Sequence, residues 1–162
     1  MNKEDLELTL QNVRTWIGLV DQKVNILLVL QFGVLAIVLK PAYDLLTGKS
    51  TTWNQLSLLI LVFAVCFYVY SIVKLAIAIK PRVKSEQKES LIFFGSIASM
   101  NLDDYKKAVN KSKKKDYKND LISQISVTSK ISNLKHQNYT DALILFGLSI
   151  LLLGLLIMDV NI

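Results

Sequence analysis

"LELTLQNVRTWIGLVDQKVNILLVLQFGVLAIVL", residues 6–39, decides the architecture. Leu6, Leu10, Val13, Ile17, Val20, Val24, Leu27 and Gln31 recur at alternating four- and three-residue spacing, the pattern of one buried helix face. The stripe runs on where the composition changes. Its first half is interleaved with polar and charged residues, whereas from Val24 onward the chain is almost wholly apolar. The spacing thus predicts one helix, from about Leu6 to Leu39, that leaves water and enters a membrane. Taken alone, Val24–Leu39 is shorter than the about 20 apolar residues a span needs. Extended back through Trp16–Val20 it is long enough.

Two further apolar runs, Leu56–Val73 (continuing past Lys74 to Ile79) and Ala142–Met158, have spanning length directly. The expected class is an all-α membrane protein with three transmembrane helices, at about 20–39, 56–79 and 140–158. The first and third are expected to extend into a cytoplasmic helical bundle. The chain reads as one module. Its cytoplasmic parts are residues 1–20 and 80–139. Of the nineteen lysines and arginines, thirteen lie between Lys80 and Tyr139, and none follows Lys135. By the bias of basic residues toward the cytoplasmic side, the N-terminus is inside and the C-terminus is outside. The acidic start (Glu4, Asp5, Glu7) is unlike a signal peptide. The single cysteine, Cys66, lies within the second run and supports neither a disulfide framework nor a metal cluster.

Lys40-Pro41 is expected to end the first helix, and Lys80-Pro81 the second, because proline lacks the amide and disfavours helix before it. From Arg82 to Ser90 the chain reads as charged and irregular. "LIFFGSIASM" follows, an apolar stretch broken by Gly95. Asn101 with Asp104 reads as a helix cap, "NKSKKKDYKND" (110–120) as a solvated hinge, and from Asp116 a helix resumes that meets no breaker before Met158.

Several of these features occur together in a known order: Asp21-x-Lys23 before the first span, "FFG" at Phe93–Gly95 after the second, Tyr105 in a short helix, then "DLISQI" and Ser129-x-Ile131-x-x-x-Lys135 before the third. This set resembles the small membrane effector family of Pycsar anti-phage defence, and more loosely the SLATT membrane effectors that accompany nucleotide-synthesising enzymes. The resemblance covers about residues 12–160. It implies a bacterial inner-membrane effector of abortive infection, gated by a nucleotide from a partner nucleotidyl cyclase or nucleotidyltransferase. The signal would be a cyclic mononucleotide or a short oligonucleotide, opening or holding shut an ion channel, or damaging the membrane. The chain departs from the family pattern at Val24, where alanine is usual, and at His136, where an aromatic is usual.

Asp21 and Lys23 point to different helix faces and cannot pair with each other. Asp21 is placed to pair with Lys130 or Lys135, and a ligand phosphate competing for those lysines would break the pair and release the helices. The ordinary alternative is a snorkelling Lys23 and an aspartate bonded to a neighbouring helix. Lys113, Lys114 and Lys115 lie in a basic run from Lys106 to Lys118 that attracts a phosphorylated ligand, or anionic lipid at about 1 kcal/mol per lysine. Phe93, Phe94 and Tyr105 are aromatics beside that charge, suited to base stacking or to burial. Gln31, and less so Asn25, are candidates for an oligomer seam or a polar ring in a pore. No Gly-rich phosphate loop, metal-spaced histidine or cysteine set, or nucleophile with a base is apparent, so no enzyme, metal site or cofactor is expected. The alternative to a gated effector is a membrane scaffold whose basic segment binds lipid or a protein partner.

Overall fold

The computed structural model describes residues 2–47, 55–80 and 90–160. Five helices follow one another: α1 (Lys3–Leu46), α2 (Gln55–Ile79), α3 (Phe94–Ala98), α4 (Leu102–Lys111) and α5 (Lys114–Val160). Among the described residues there is no strand. Three helices, α1, α2 and α5, are long and apolar enough to cross a membrane. Only 22 %, 22 % and 17 % of their most apolar windows is buried within the chain. Outward-facing side chains such as Ile26, Val29, Phe32, Leu58 and Ile144 are more than half exposed, a surface that requires lipid or another protein chain around it.

The stripe read in residues 6–31 is the buried face of α1. Leu6, Leu10, Val20, Val24, Leu27 and Gln31 are all buried, and Val13 and Ile17 are half-buried. The helix starts earlier than the stripe, at Lys3, because Asn2 and Asp5 cap it reciprocally. Asn2 Oδ1 accepts from the Asp5 amide at 2.8 Å and Asp5 Oδ2 accepts from the Asn2 amide at 2.9 Å. It also ends later than expected. Pro41 does not stop α1, which continues to Leu46. Proline's φ of about −65° is itself helical, so the backbone continues at the cost of the one hydrogen bond Pro41 cannot donate. α2 ends at Ile79, as the Lys80-Pro81 pair predicts, although Pro81 and the charged segment 82–89 lie outside the described residues.

Two corrections concern the basic region. Gly95 does not break the apolar stretch but sits inside α3, whose first residue is Phe94. In the first turn of a helix the amides have no intrahelical partner, so glycine's weakness there costs little. The expected hinge shrinks to Ser112 and Lys113, and α5 begins at Lys114 instead of Asp116. Asp116 reaches back from inside the first turn to accept from the Lys113 amide at 2.9 Å, and lysine is itself a good helix former. The α4 cap is as expected: Asn101 Oδ1 accepts from the Asp104 amide at 2.8 Å. α5 has 47 residues, about 70 Å at 1.5 Å per residue.

The chain divides into two compact units. Residues 2–19 and 90–134 form one, and residues 20–47, 55–80 and 135–160 the other. The core of the first is Leu6, Leu10 and Leu121, with Ile92, Tyr117 and Ile125 packed against them. The core of the second is Val20, Val24, Leu27, Leu75, Ala78 and Ala142, with Leu28, Tyr139 and Phe146 alongside.

Candidate functional site

In the second unit, the charges that sequence reading singled out fall into two groups. Asp21 follows Val20 by one residue, which turns it off the apolar seam of α1 toward α5, where it accepts a hydrogen bond from Lys135 Nζ. Of the two lysines expected as its partner, Lys135 is the one that pairs with it. The Lys135 side chain is 7 % exposed and that of Asp21 43 %, so one end of the pair is desolvated and the other reaches water. Lys23, Asn25 and Lys130 are exposed, and Lys130 belongs to the other unit. A second ion pair joins α2 to α5, Lys74 Nζ to Asp141 Oδ2 at 2.8 Å. Sequence reading missed its role, although the signal is plain in retrospect. Lys74 is the one charged residue of α2, and a charge in a spanning helix needs a partner.

Gln31 is 1 % exposed and faces the other helices of its own chain. Its Nε2 donates to Ser71 Oγ at 2.6 Å, and Ser71 in turn donates to the Ala142 carbonyl at 2.7 Å. Tyr68 Oη donates to the Gln31 backbone carbonyl. One serine thereby links α1, α2 and α5 through a polar relay in an apolar bundle. Such bonds in a membrane average about 0.6 kcal/mol each. Gln31 Oε1 and Ser149 Oγ are buried with no hydrogen-bond partner among the described residues.

In the first unit, the segment after α2 is fixed onto α5 by a carboxylate. Asp120, 8 % exposed, accepts from Ser90 Oγ at 2.7 Å and from the Leu91 amide at 2.9 Å. Ser90 Oγ accepts from the Ile92 and Phe93 amides and from Gln124 Nε2 at 3.3 Å. Tyr105 completes the arrangement, its hydroxyl donating to the Leu91 carbonyl at 3.3 Å, so it braces this segment. Phe93 emerges from it 38 % exposed, with its ring over Gly95, where an added Cβ would lie 2.6 Å from Phe93 Cε1. The Phe94 side chain lies outside the described residues.

Two cavities open on this unit. One, of about 420 Å³, is lined by Arg14, Ile92, Phe93, Gln124, Val127, Thr128 and Ile131. The other, of about 530 Å³, is lined by Lys3, Ser112, Lys113, Lys114, Tyr117 and Lys118. Of the residues expected to bind ligand, Phe93 falls in the first and Lys113 and Lys114 in the second, while Lys115 is exposed and lines neither. Beside the second cavity, Tyr117 Oη donates to Glu7 Oε1 at 2.8 Å and Lys3 Nζ lies 4.8 Å from the Tyr117 ring centre. The hydrogen bond from Tyr117, with Lys3 nearby, holds the Glu7 carboxyl below its ordinary value of 4.5. The same bond, with burial, pushes the Tyr117 phenol above 10. Among the described residues no group of histidine, cysteine or carboxylate side chains is arranged to hold a metal.

No curated protein and no solved structure matches the chain. The profile of the Pycsar effector protein domain does, over residues 5–158, which takes in α1 from its first turn, α2, the clamped 90–93 segment and nearly all of α5. With three helices fit to cross a membrane and a match over almost its whole length, the chain belongs to the Pycsar effector protein domain family, the membrane effectors of anti-phage defence.

Proposed function

We propose that this chain is a non-catalytic, nucleotide-gated effector of the bacterial inner membrane. It sits with its N-terminus in the cytoplasm, assembles with copies of itself, and permeabilises the membrane during phage infection. The signal comes from a partner nucleotidyl cyclase. The observation that supports gating most is the Asp21–Lys135 pair. A lysine desolvated at 7 % exposure is held by one carboxylate that still meets water, so the bond between α1 and α5 can be exchanged without first unpacking an apolar core. Those same two helices carry the walls of the cytoplasmic unit, so a ligand that shifts one against the other acts on the pair through continuous helix. The Ser71 relay is the second bistable element, since parting the spans exchanges its two hydrogen bonds for water.

The test is dye release from vesicles of anionic lipid holding the purified chain. Wild type is expected to release dye when cyclic mononucleotides are added, and Asp21→Ala, which strands the desolvated Lys135 ammonium, to release part of it without them. Dye retained by both under every nucleotide refutes gating and leaves a lipid-binding scaffold as the reading. A basal leak that a nucleotide suppresses reverses the sign of the signal.

A further inference from the structure

The sequence holds two arginines, and one of them, Arg14, lies on the rim of the 420 Å³ groove of the first unit. It is exposed and forms no ion pair or hydrogen bond with a described residue. Elsewhere in the described chain, lysines near carboxylates find them: Lys3 with Glu7, Lys74 with Asp141, Lys135 with Asp21. The same groove is lined by an aromatic ring, Phe93. Phe93 stays 38 % exposed because Asp120 and Ser90 pin its backbone and because Gly95 leaves room for its ring. Gln124, 7 % exposed, also lines the groove, with its Nε2 committed to Ser90 while its Oε1 accepts from no described residue. Thr128, whose hydroxyl donates to the Gln124 carbonyl, keeps its oxygen as an acceptor. Ile92, Val127 and Ile131 supply apolar wall.

We propose that this groove is the ligand site, and that it takes a mononucleotide bearing a single phosphate charge. The inference rests on the nucleotide-gated reading above and goes further by naming the residues that would hold the ligand. Arg14 binds the phosphate through its planar fork, which suits two phosphate oxygens at once. Phe93 stacks on the base, and the acceptors at Gln124 and Thr128 meet an amino or imino group on its edge. One guanidinium answers one phosphate. An oligonucleotide gains affinity by having several phosphates neutralised at once, and among the described residues the groove is lined by no second cation. The volume falls in the range of about 300–1,000 Å³ typical of small-ligand sites. The lysine-lined cavity shares no residue with this groove, so the two sites can be tested apart.

The experiment is equilibrium binding to the full chain in detergent, with cyclic mononucleotides of each base, the linear 5′-monophosphates and a tetranucleotide as probes. Wild type is expected to bind a mononucleotide more tightly than the tetranucleotide. Arg14→Ala and Phe93→Ala are each expected to weaken it on the order of tenfold or more, the equivalent of one stacking contact or one charged fork. Arg14→Lys should not restore it, and Val127→Trp, which fills the groove, should block it. Lys113→Ala/Lys114→Ala should bind within about twofold of wild type, since the phosphate contact is elsewhere. Arg14 is exposed and pairs with no described residue, so its substitution is expected to leave the melting temperature in place and to report on the site alone. Unchanged affinity in Arg14→Ala and Phe93→Ala, or loss confined to the lysine variant, overturns the site while leaving the nucleotide-gated reading standing. Absence of binding by wild type to every mononucleotide overturns both.

Discussion

Removing either end of the Asp21–Lys135 pair should cost very different amounts, because the two ends are buried to different degrees. Asp21→Ala leaves a lysine at 7 % side-chain exposure with no carboxylate. Breaking a fully buried pair from one side costs about 3–5 kcal/mol. Here the aspartate was 43 % exposed, so water already screened the pair, and a cost of roughly 1–3 kcal/mol is expected. Lys135→Met removes the desolvated charge instead and keeps an unbranched stem of similar length in its place. What remains is an aspartate that water can reach, so the cost should be roughly 0–1 kcal/mol. Thermal unfolding in detergent measures the difference. At about 2–4 °C per kcal/mol for a chain of this size, Asp21→Ala should melt several degrees below Lys135→Met. The double variant should melt above Asp21→Ala, because it no longer strands the ammonium. Lys135→Met melting as low as Asp21→Ala, or a double variant at the sum of the two losses, refutes the reasoning.

Tyr117→Phe should alter the response to acid. Glu7 is held below 4.5 by the Tyr117 hydroxyl and Lys3, so its contribution to stability is present above pH 4.5 and is lost as the pH falls through its lowered value; melting curves from pH 7 to 3 should show a shallower acid decline in Tyr117→Phe, and an identical decline would contradict this. Gly95→Ala would bring a methyl to 2.6 Å from the Phe93 ring, so the ring must swing away. Mononucleotide affinity should fall by several-fold while the melting temperature changes little, and full affinity would show that the ring position is unimportant.

The face of α1 could be read in advance because the alternation of four and three survives the passage from water to lipid, and Leu6, Val24 and Gln31 are buried as that pattern requires. The Pro41 and Gly95 expectations failed for a shared reason. Both residues are penalised for what they do to hydrogen bonds in a helix interior, and here a helical φ in one case and a first-turn position in the other reduce that penalty. The direction of Gln31 was beyond the pattern, since a polar residue on a buried stripe can face a partner helix or a second copy, and Ser71 that receives it lies forty residues on. Arg14 was illegible for a stronger reason. A lone arginine in a polar helix has no periodic or local mark, and its meaning comes from Phe93 and Gln124, which distant segments bring to the same groove.

Gln31 Oε1 and Ser149 Oγ, without partners among the described residues, leave the bundle short of the stability its packing could give. Each buried acceptor or hydroxyl left without a partner costs about 1–3 kcal/mol. Driving a two-state protein from 1:99 to 99:1 takes about 5.5 kcal/mol of differential binding. Together the two groups withhold roughly 2–6 kcal/mol from the bundle, a range that reaches that figure, so on the gated reading proposed above the binding of one small molecule would be of the size needed to tip it.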